Sequence, residues 1–383
     1  MLTYYIKFAH YLSHMVKVKD ITNYLEQWAP LAYQESYDNA GLIVGSPVTE
    51  VTGILLCLDI TETILEEAKD KKCNLIIAHH PIIFKPIKKL VGINYVERCV
   101  IQAIRYNIAI YTIHTNLDNI IQGVSYNMAR QLGLETCKIL LPKPHTLQKL
   151  TAFVSPLQLE EVRVALHQAG AGHINHYNHC SFTSSAGTAT FQCDESMHHP
   201  IDTLQQNDKV ELATAHQLEV VFPAYLSKTI VGGLKQLHSY REIAYYIQNI
   251  ENMDIQVGSG IIGELPRSFD NRTFLTYLKE KMALTCIRHS APVKKDIKKV
   301  ALCGGAGIFL LPEAIRQGAD VLVTADVKYH DFFDAEGQIL IADIGHYESE
   351  IAIKELIYNK LSEKFSNIVL LKSAIQTNPV YYF

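Results

Sequence analysis

The sequence lacks several features that would assign it to a specialised class of protein. No stretch reaches the roughly 18 consecutive apolar residues of a membrane-spanning helix, and no low-complexity tract is visible. The N-terminal segment has neither an apolar core nor a small-residue cleavage site, so we expect no secretory signal and a cytoplasmic protein. The eight cysteines stand singly, without a Cys-x-x-Cys pair, which predicts buried reduced thiols instead of a zinc ribbon or a disulfide framework.

An excess of positive charge is also missing. The 383 residues include 35 Lys and Arg against 39 Asp and Glu, which gives a net charge of -4. No electrostatic argument therefore favours nucleic acid or an anionic membrane as a partner, and we expect a small-molecule substrate. Histidine, by contrast, is plentiful: the chain has 17, and imidazole serves both metal binding and proton transfer near neutral pH.

The order of predicted elements indicates an α/β fold with two similar lobes separated by an insert. Strand-length apolar runs alternate with amphipathic helices in residues 15–148 and again in residues 255–383, which predicts parallel sheets. Residues 149–254 show a β-α-β-β-α-β order, typical of a ferredoxin-like α+β module, with a set of irregular insertions as the alternative. Nine histidines fall between His145 and His238, and we expect most of them to be non-catalytic.

The sequence pattern gives three local predictions of structure. Thr61 precedes an amphipathic run and is expected to cap its helix. Asp118 comes just after a strand and is expected in a loop. Residues 344–365 read as one long helix.

Side chains of metal-binding types follow four of the predicted strands. In open α/β sheets, ligands gather at the carboxyl ends of parallel strands. The residues found there are His79 and His80, then His114 and Asp118, then Asp326 and His330, and last His346 and Glu350. The sequence therefore predicts that they converge on one edge.

The first four of these residues also have plainer interpretations. His79 and His80 would point to opposite faces of a continuing strand, so both can face one site only if the strand ends before Pro81. Asp118 could instead cap a turn or a helix. His114 could orient a ligand instead of being one.

His346 and Glu350 stand four residues apart, so they share a helix face and can reach one ion, although a solvated pair is the alternative. Together with His79, His80 and Asp118 they offer five donors. Five donors are too many for one tetrahedral zinc and suit two divalent ions, with Glu350 as the best candidate to bridge them. Zinc, iron, manganese and cobalt are equally compatible with this mixture of donors.

Two further features are weaker evidence of a functional site. His330 and Asp326 remain for proton transfer or substrate orientation, although His330 could simply pack on Tyr329. The turn CGGAG, from Cys303, is similar to a phosphate-binding glycine turn but lacks the full motif.

Six motifs resemble, in order and spacing, those of one known family. They are SYDNAGLIVG, AHHPIIF, HTNLDN, CGGAG, TADVKYHD and GHYESE, and the match runs from about Val16 to the end. The family is that of the Nif-three-like dinuclear metal-centre proteins, whose members often carry the name GTP cyclohydrolase 1 type 2 homolog. The middle region is similar to the PII-like insert of the long bacterial members.

The resemblance implies two α/β lobes around a two-metal site, and a toroidal homohexamer. The metal ligands that it implies are His79, His80, Asp118, His346 and Glu350, with Glu350 touching both ions. The motif TAD has Ala325 where the family commonly has Gly, a methyl group expected to narrow the cleft without altering a ligand. The family typically begins near MVKVKDI, so residues 1–14 are expected to be an extension before a start at Met15.

Two functions of different classes fit these features. The first is a dinuclear metal-dependent hydrolase that acts on a nucleotide-like or other small polar substrate through metal-bound hydroxide, with Glu350 and His330 as its catalytic residues. The second is a metal-binding regulatory or scaffold ring without turnover, in which the insert senses a ligand or docks a partner. A metal chaperone or store is a third. The resemblance does not supply a substrate.

Overall fold

The computed structural model describes residues 15–191, 211–237 and 244–383. The chain divides into two compact units, one formed by Met1–Leu141 with Gln256–Phe383 and the other by Pro142–Ile255. We call them the core unit and the middle unit. The expected extension of residues 1–14, Cys193 and the pair His198 and His199 lie outside the described residues. No described helix is long and apolar enough to cross a membrane.

The strands are β1 (Gly41–Val44), β2 (Ile54–Cys57), β3 (Leu75–Ala78), β4 (Ala109–Thr112), β5 (Glu135–Pro142), β6 (Leu147–Val154), β7 (Phe182–Thr183), β8 (Gly187–Phe191), β9 (Glu211–Pro223), β10 (Tyr245–Asn249), β11 (Gly258–Phe269), β12 (Arg288–His289), β13 (Ile297–Leu302), β14 (Val321–Thr324), β15 (Leu340–Asp343) and β16 (Leu370–Lys372). The α-helices are α1 (Val18–Trp28), α2 (Glu62–Asp70), α3 (Tyr95–Arg105), α4 (Thr115–Asp118), α5 (Val124–Gln131), α6 (Leu159–Gln168), α7 (Ser227–Leu237), α8 (Asn271–Lys281), α9 (Leu311–Arg316), α10 (His346–Glu350) and α11 (Ile353–Ser362).

The first sheet of the core unit has five strands in the order β1-β4-β3-β2-β16. All neighbours are parallel except β1, which is antiparallel to β4. Helices α1 and α11 pack on one face, and α2 and α3 on the other. Because both faces are covered, β2, β3 and β4 are buried along their whole length, which explains their unbroken apolar sequence. The predicted cap is confirmed: Thr61 Oγ1 accepts a hydrogen bond from the Ile64 amide.

The second sheet of the core unit has the order β12-β15-β14-β13-β11-β5, with β13, β14 and β15 parallel. The strands of the two sheets do not come from two consecutive segments of the chain, as two separate lobes would require. Strand β5, from the first expected lobe, lies beside β11, and β16, from the second, pairs with β2 in the other sheet. Each sheet is therefore completed at one edge by a strand from the other segment. The boundaries at 148/149 and 254/255 stay predictions.

Three further expectations differ from the structure. Asp118 lies at the end of the short helix α4 and not in a loop. The helix expected over residues 344–365 is two helices, α10 and α11, interrupted at residues 351–352. The interruption lets α10 present Glu350 to the site while α11 packs its own apolar face on the first sheet. The cysteines in the described ranges are free thiols, but Cys137, Cys180 and Cys286 are only half-buried.

The middle unit has the element order β6, α6, β7, β8, β9, α7, β10. Its strands pair antiparallel in the order β10-β6-β9-β7, and β8 also pairs with β9. Residues of α6 and α7 pack on the buried side chains of β6 and β9, so this unit has a hydrophobic core of its own.

Candidate metal centre

Five of the expected site residues meet in the core unit. Strand β3 ends at Ala78, so His79 and His80 follow the strand instead of continuing it. Their rings lie side by side, with centroids 5.0 Å apart. Asp118 is the last residue of α4, which follows the neighbouring strand β4. Helix α10 carries His346 and Glu350 to the same place.

Four histidines at this place share one orientation. The Nδ1 atom of each contacts an oxygen of the protein: His79 the carbonyl of Ile113 at 2.7 Å, His80 the carboxylate of Asp59 at 2.7 Å, His114 that of Asp38 at 2.8 Å, and His346 that of Asp326 at 2.8 Å. Carbonyl and carboxylate oxygens accept hydrogen bonds, so each Nδ1 bears the proton. This arrangement fixes the ring and leaves Nε2 for a metal, as is usual for metal-binding histidines.

The carboxylate of Glu350 lies among these rings and is 3% exposed. Its Oε2 atom is 3.0 Å from His80 Nε2 and 3.1 Å from His346 Nε2, whereas its Oε1 atom is 3.9 Å from His79 Nε2. The Oδ1 atom of Asp118 is 3.6 Å from the same nitrogen of His79. The two oxygens of Glu350 thus face different histidines.

The donor set fits a divalent cation. Within the described part of the chain, His79 Nε2 and Asp118 Oδ1 are buried without a hydrogen-bond partner and lie 3.6 Å apart, beside the buried carboxylate of Glu350. An unpaired buried polar atom costs about 1–3 kcal/mol, so two of them at one place favour a bound cation between them. Two groups have ligand atoms within 4.8 Å of one another: His79, His80 and His114, and His80, His346 and Glu350. His114, for which the sequence left open a role as ligand or as orienting residue, therefore belongs to one of the groups that could hold an ion.

The pKa values of the cluster show how its side chains are charged when no metal is bound. Burial lowers the pKa of His79 to about 4, so this ring is neutral and its Nε2 can only accept. Burial and the neighbouring Glu350 raise the pKa of Asp118 well above its usual value. Burial opposes a charge on His80 as well, but the carboxylates of Asp59 and Glu350 outweigh it and raise the pKa of His80 to about 10. Protons therefore compete with a metal for this cluster.

The glycine turn after β13 makes room for Glu350. Gly305 has a φ of +62°, and a Cβ atom there would collide with Glu350 Oε1. Three amides of this turn are already engaged, with Gly304 bonded to Ser125, Gly305 to Ser349 and Gly307 to Thr324 through side-chain hydroxyls. These three amides are not free for a phosphate, and the similarity to a phosphate-binding turn stays a prediction. Ala325 is fully buried and does not line the cavity, so its methyl group does not narrow the cleft.

His330 lies apart from this cluster. It is exposed at the start of a 3-10 helix, His330–Ala335, with its ring 5.1 Å from that of Tyr329, and it does not line the cavity. Its position agrees with the alternative interpretation, in which His330 packs on Tyr329. Asp326, expected to act on protons or substrate, contacts His346 instead.

Two residues that orient histidines were missed by the sequence argument. Asp59 follows β2, so the rule that selects polar residues at strand ends would have found it. Asp38 lies before β1 and follows no strand, so no such signal marks it.

A cavity of about 690 Å³ opens over the cluster. His80, His114, Asp118, His346 and Glu350 line it, so a ligand inside the cavity would reach an ion held by these residues. The thiol of Cys303 also lines the cavity, but burial raises its pKa far above the ordinary value.

Comparison with known proteins assigns the chain to a family. The family model Duf34/NIF3 (NGG1p interacting factor 3) matches residues 16–379. A protein of Bacillus subtilis (strain 168) named GTP cyclohydrolase 1 type 2 homolog is 33% identical over 378 residues, which are 96% of this chain and 99% of the relative. A Staphylococcus aureus (strain MSSA476) protein of the same name is 30% identical over 371 residues, 96% of this chain and 100% of the relative.

A solved structure, the Bacillus cereus protein related to NIF3, is 31% identical and superposes with a TM-score of 0.82 over 97% of this chain and 100% of its own. A second, a Staphylococcus aureus protein, is 28% identical, with a TM-score of 0.76 over 96% of this chain and 99% of its own. The family model and the relatives both span nearly the whole chain. The chain therefore belongs to the DUF34/NIF3 family.

Proposed function

We propose that this protein is a metal-dependent hydrolase that holds two divalent ions at His79, His80, Asp118, His346 and Glu350 and acts on a small polar substrate. The observation that carries the proposal is the convergence of these five side chains beside a cavity of about 690 Å³, with His79 Nε2 and Asp118 Oδ1 buried and without a hydrogen-bond partner. Such a volume suits a small-molecule ligand. The name of the curated relatives refers to a GTP cyclohydrolase, and ring opening of a purine is one reaction within this class.

Divalent ions bound here would polarise the scissile bond and supply a water-derived nucleophile near neutral pH. The protein's own part is positioning. Asp59 and Asp326 hold the rings of His80 and His346, and the carboxylate of Glu350 lies between them. His114 lines the cavity with its Nδ1 fixed by Asp38, so we assign proton transfer to His114 instead of His330.

The test combines metal counting with turnover. Glu350→Gln keeps the shape of the side chain and removes its charge, so bound metal should fall below two ions per chain. Turnover should fall at least about 100-fold, because the metal supplies the nucleophile. Glu355→Gln is the matched control: this residue lies on α11, is largely exposed and pairs with Lys372. Metal content is measured by mass spectrometry, and turnover on nucleosides, nucleotides, amides and phosphoesters.

Each outcome decides between named alternatives. Metal-dependent turnover that Glu350→Gln abolishes and Glu355→Gln preserves supports the hydrolase. Two bound ions without turnover on any of the four substrate classes would favour the non-catalytic metal-binding ring. Saturation below two ions in the unmodified protein would overturn the dinuclear assignment itself.

Three further properties are proposals that come from the resemblance. They are the toroidal homohexamer, the cytoplasmic location and the PII-like, ferredoxin-like character of the middle unit. The antiparallel strand order β10-β6-β9-β7 of that unit supports the last of them.

A further inference from the structure

The cavity over the metal centre has an unusual balance of charge for a protein that would bind phosphates. Four carboxylates line it, those of Glu35, Asp59, Asp118 and Glu350. Among the residues that the structure describes, no Lys or Arg lines it. Two divalent ions would bring four positive charges, which these four carboxylates already balance. No surplus positive charge is then left for a polyphosphate.

The other usual means of binding phosphate is largely taken up at this lining. Phosphates are commonly held by arginine, by lysine or by free backbone amides of a glycine turn. The turn beside Glu350 has the amides of Gly304, Gly305 and Gly307 bonded to hydroxyl groups of the protein itself. A phosphate group that contacts these three amides would have to break those bonds.

The outer part of the same cavity is aromatic. Tyr37, Phe84, Tyr95 and Phe309 line it, and they are 67%, 51%, 56% and 59% exposed. Phe84 packs its ring edge-on to that of His114, with centroids 5.8 Å apart, so an aromatic surface lies directly beside the metal-binding cluster. Exposed aromatic rings at a cavity mouth bind planar rings by stacking.

From these observations we infer that the ligand of this cavity is an uncharged planar heteroaromatic molecule, of the nucleobase or nucleoside class, and not a nucleoside polyphosphate. The inference rests on the proposed function, since it assumes that the centre holds two ions. The ring would stack on the aromatic side chains, with its polar edge toward the metal-binding residues.

The test uses the metal-loaded full chain and one ring with increasing charge: guanosine, guanosine monophosphate and guanosine triphosphate. Affinity is measured by equilibrium dialysis at fixed ionic strength, with metal content checked after each step. We expect guanosine to bind most tightly and the triphosphate at least about 10-fold more weakly, since one factor of ten is a modest electrostatic penalty. Inorganic tripolyphosphate should not displace guanosine.

A pair of variants tests the aromatic contribution. Phe84→Ala should weaken guanosine binding about 5- to 100-fold, the range expected for one stacked base. Phe182→Ala is the control, because Phe182 is also a largely exposed phenylalanine but lies on β7 of the middle unit. Binding that strengthens from guanosine to the triphosphate, displacement by tripolyphosphate, equal effects of the two variants, or no guanosine binding at millimolar concentration would each overturn the inference.

Turnover measured on the same preparation separates this inference from the proposed function. Metal-dependent hydrolysis restricted to phosphorylated substrates would overturn the ligand class and leave the hydrolase standing. Guanosine binding that depends on Phe84, without hydrolysis of any substrate, would support the ligand class and overturn the hydrolase.

Discussion

Gly305 sets how closely the backbone approaches Glu350. The residue combines a φ of +62° with a position where a Cβ atom would overlap the Oε1 atom of that carboxylate. We predict that Gly305→Ala displaces Glu350 and weakens metal binding at least about 10-fold, as loss of ligand orientation commonly does. It should also cost about 1–2 kcal/mol of stability, because a left-handed backbone is strained for alanine.

Gly318→Ala separates these two effects. Gly318 has a similar φ, +73°, but a Cβ atom there would meet nothing within 4 Å. It should therefore lose comparable stability in thermal unfolding and keep its metal affinity, measured by competition with a chelating dye. If both variants bind metal equally well, the close approach of Gly305 to Glu350 has no part in forming the centre.

At the scale of elements, the C-terminal segment, residues 373–380, forms hydrogen bonds both to Asp59, which follows β2 of the first sheet, and to α10. The Thr377 hydroxyl donates to Asp59 Oδ2 at 2.6 Å, and the other oxygen of Asp59 contacts Nδ1 of His80 at 2.7 Å. Next to it, the Asn378 amide donates to Glu348 on α10 at 3.0 Å. We therefore expect Thr377 to be a positioning residue that acts on His80 through Asp59.

Thr377→Val keeps the shape of the side chain and removes the donor. We expect metal affinity to fall about 3- to 10-fold, less than for a direct partner of a ligand, because the effect passes through Asp59. Thr377→Ser restores the hydroxyl and should bind metal within about 2-fold of the unmodified protein. Equal affinity of the two variants would show that this hydroxyl does not position His80.

The elements also show what the sequence could predict and why. Polar residues after buried strands pointed to His79, His80 and Asp118, because a parallel sheet brings its strand ends to one edge. The same rule selected His330, which does not line the cavity, since it lies beyond the end of β14, exposed at the start of a 3-10 helix. Strand order could not be read, because the apolar runs of β5 and β16 do not encode which sheet they join.

For the whole molecule, the residues of the candidate metal centre all belong to the core unit. All residues that line the cavity belong to the core unit. The chain leaves the core unit after Leu141 and returns at Gln256. Near these points, Leu140 and Gly260 lie side by side: a Cβ atom on Gly260 would be 3.5 Å from that of Leu140. Segments whose ends lie close together can be excised with little strain on the host.

We therefore predict that replacing residues 142–255 by about six glycine and serine residues, which span about 13 Å on average, leaves a folded core unit that binds metal with an affinity within about 3-fold of the full chain. The middle unit expressed alone should unfold cooperatively, because Leu150, Leu218 and Phe222 are buried in its own core. Circular dichroism reports folding and chelator competition reports metal binding. A shortened protein with intact secondary structure that no longer binds metal would show that the middle unit contributes to the centre.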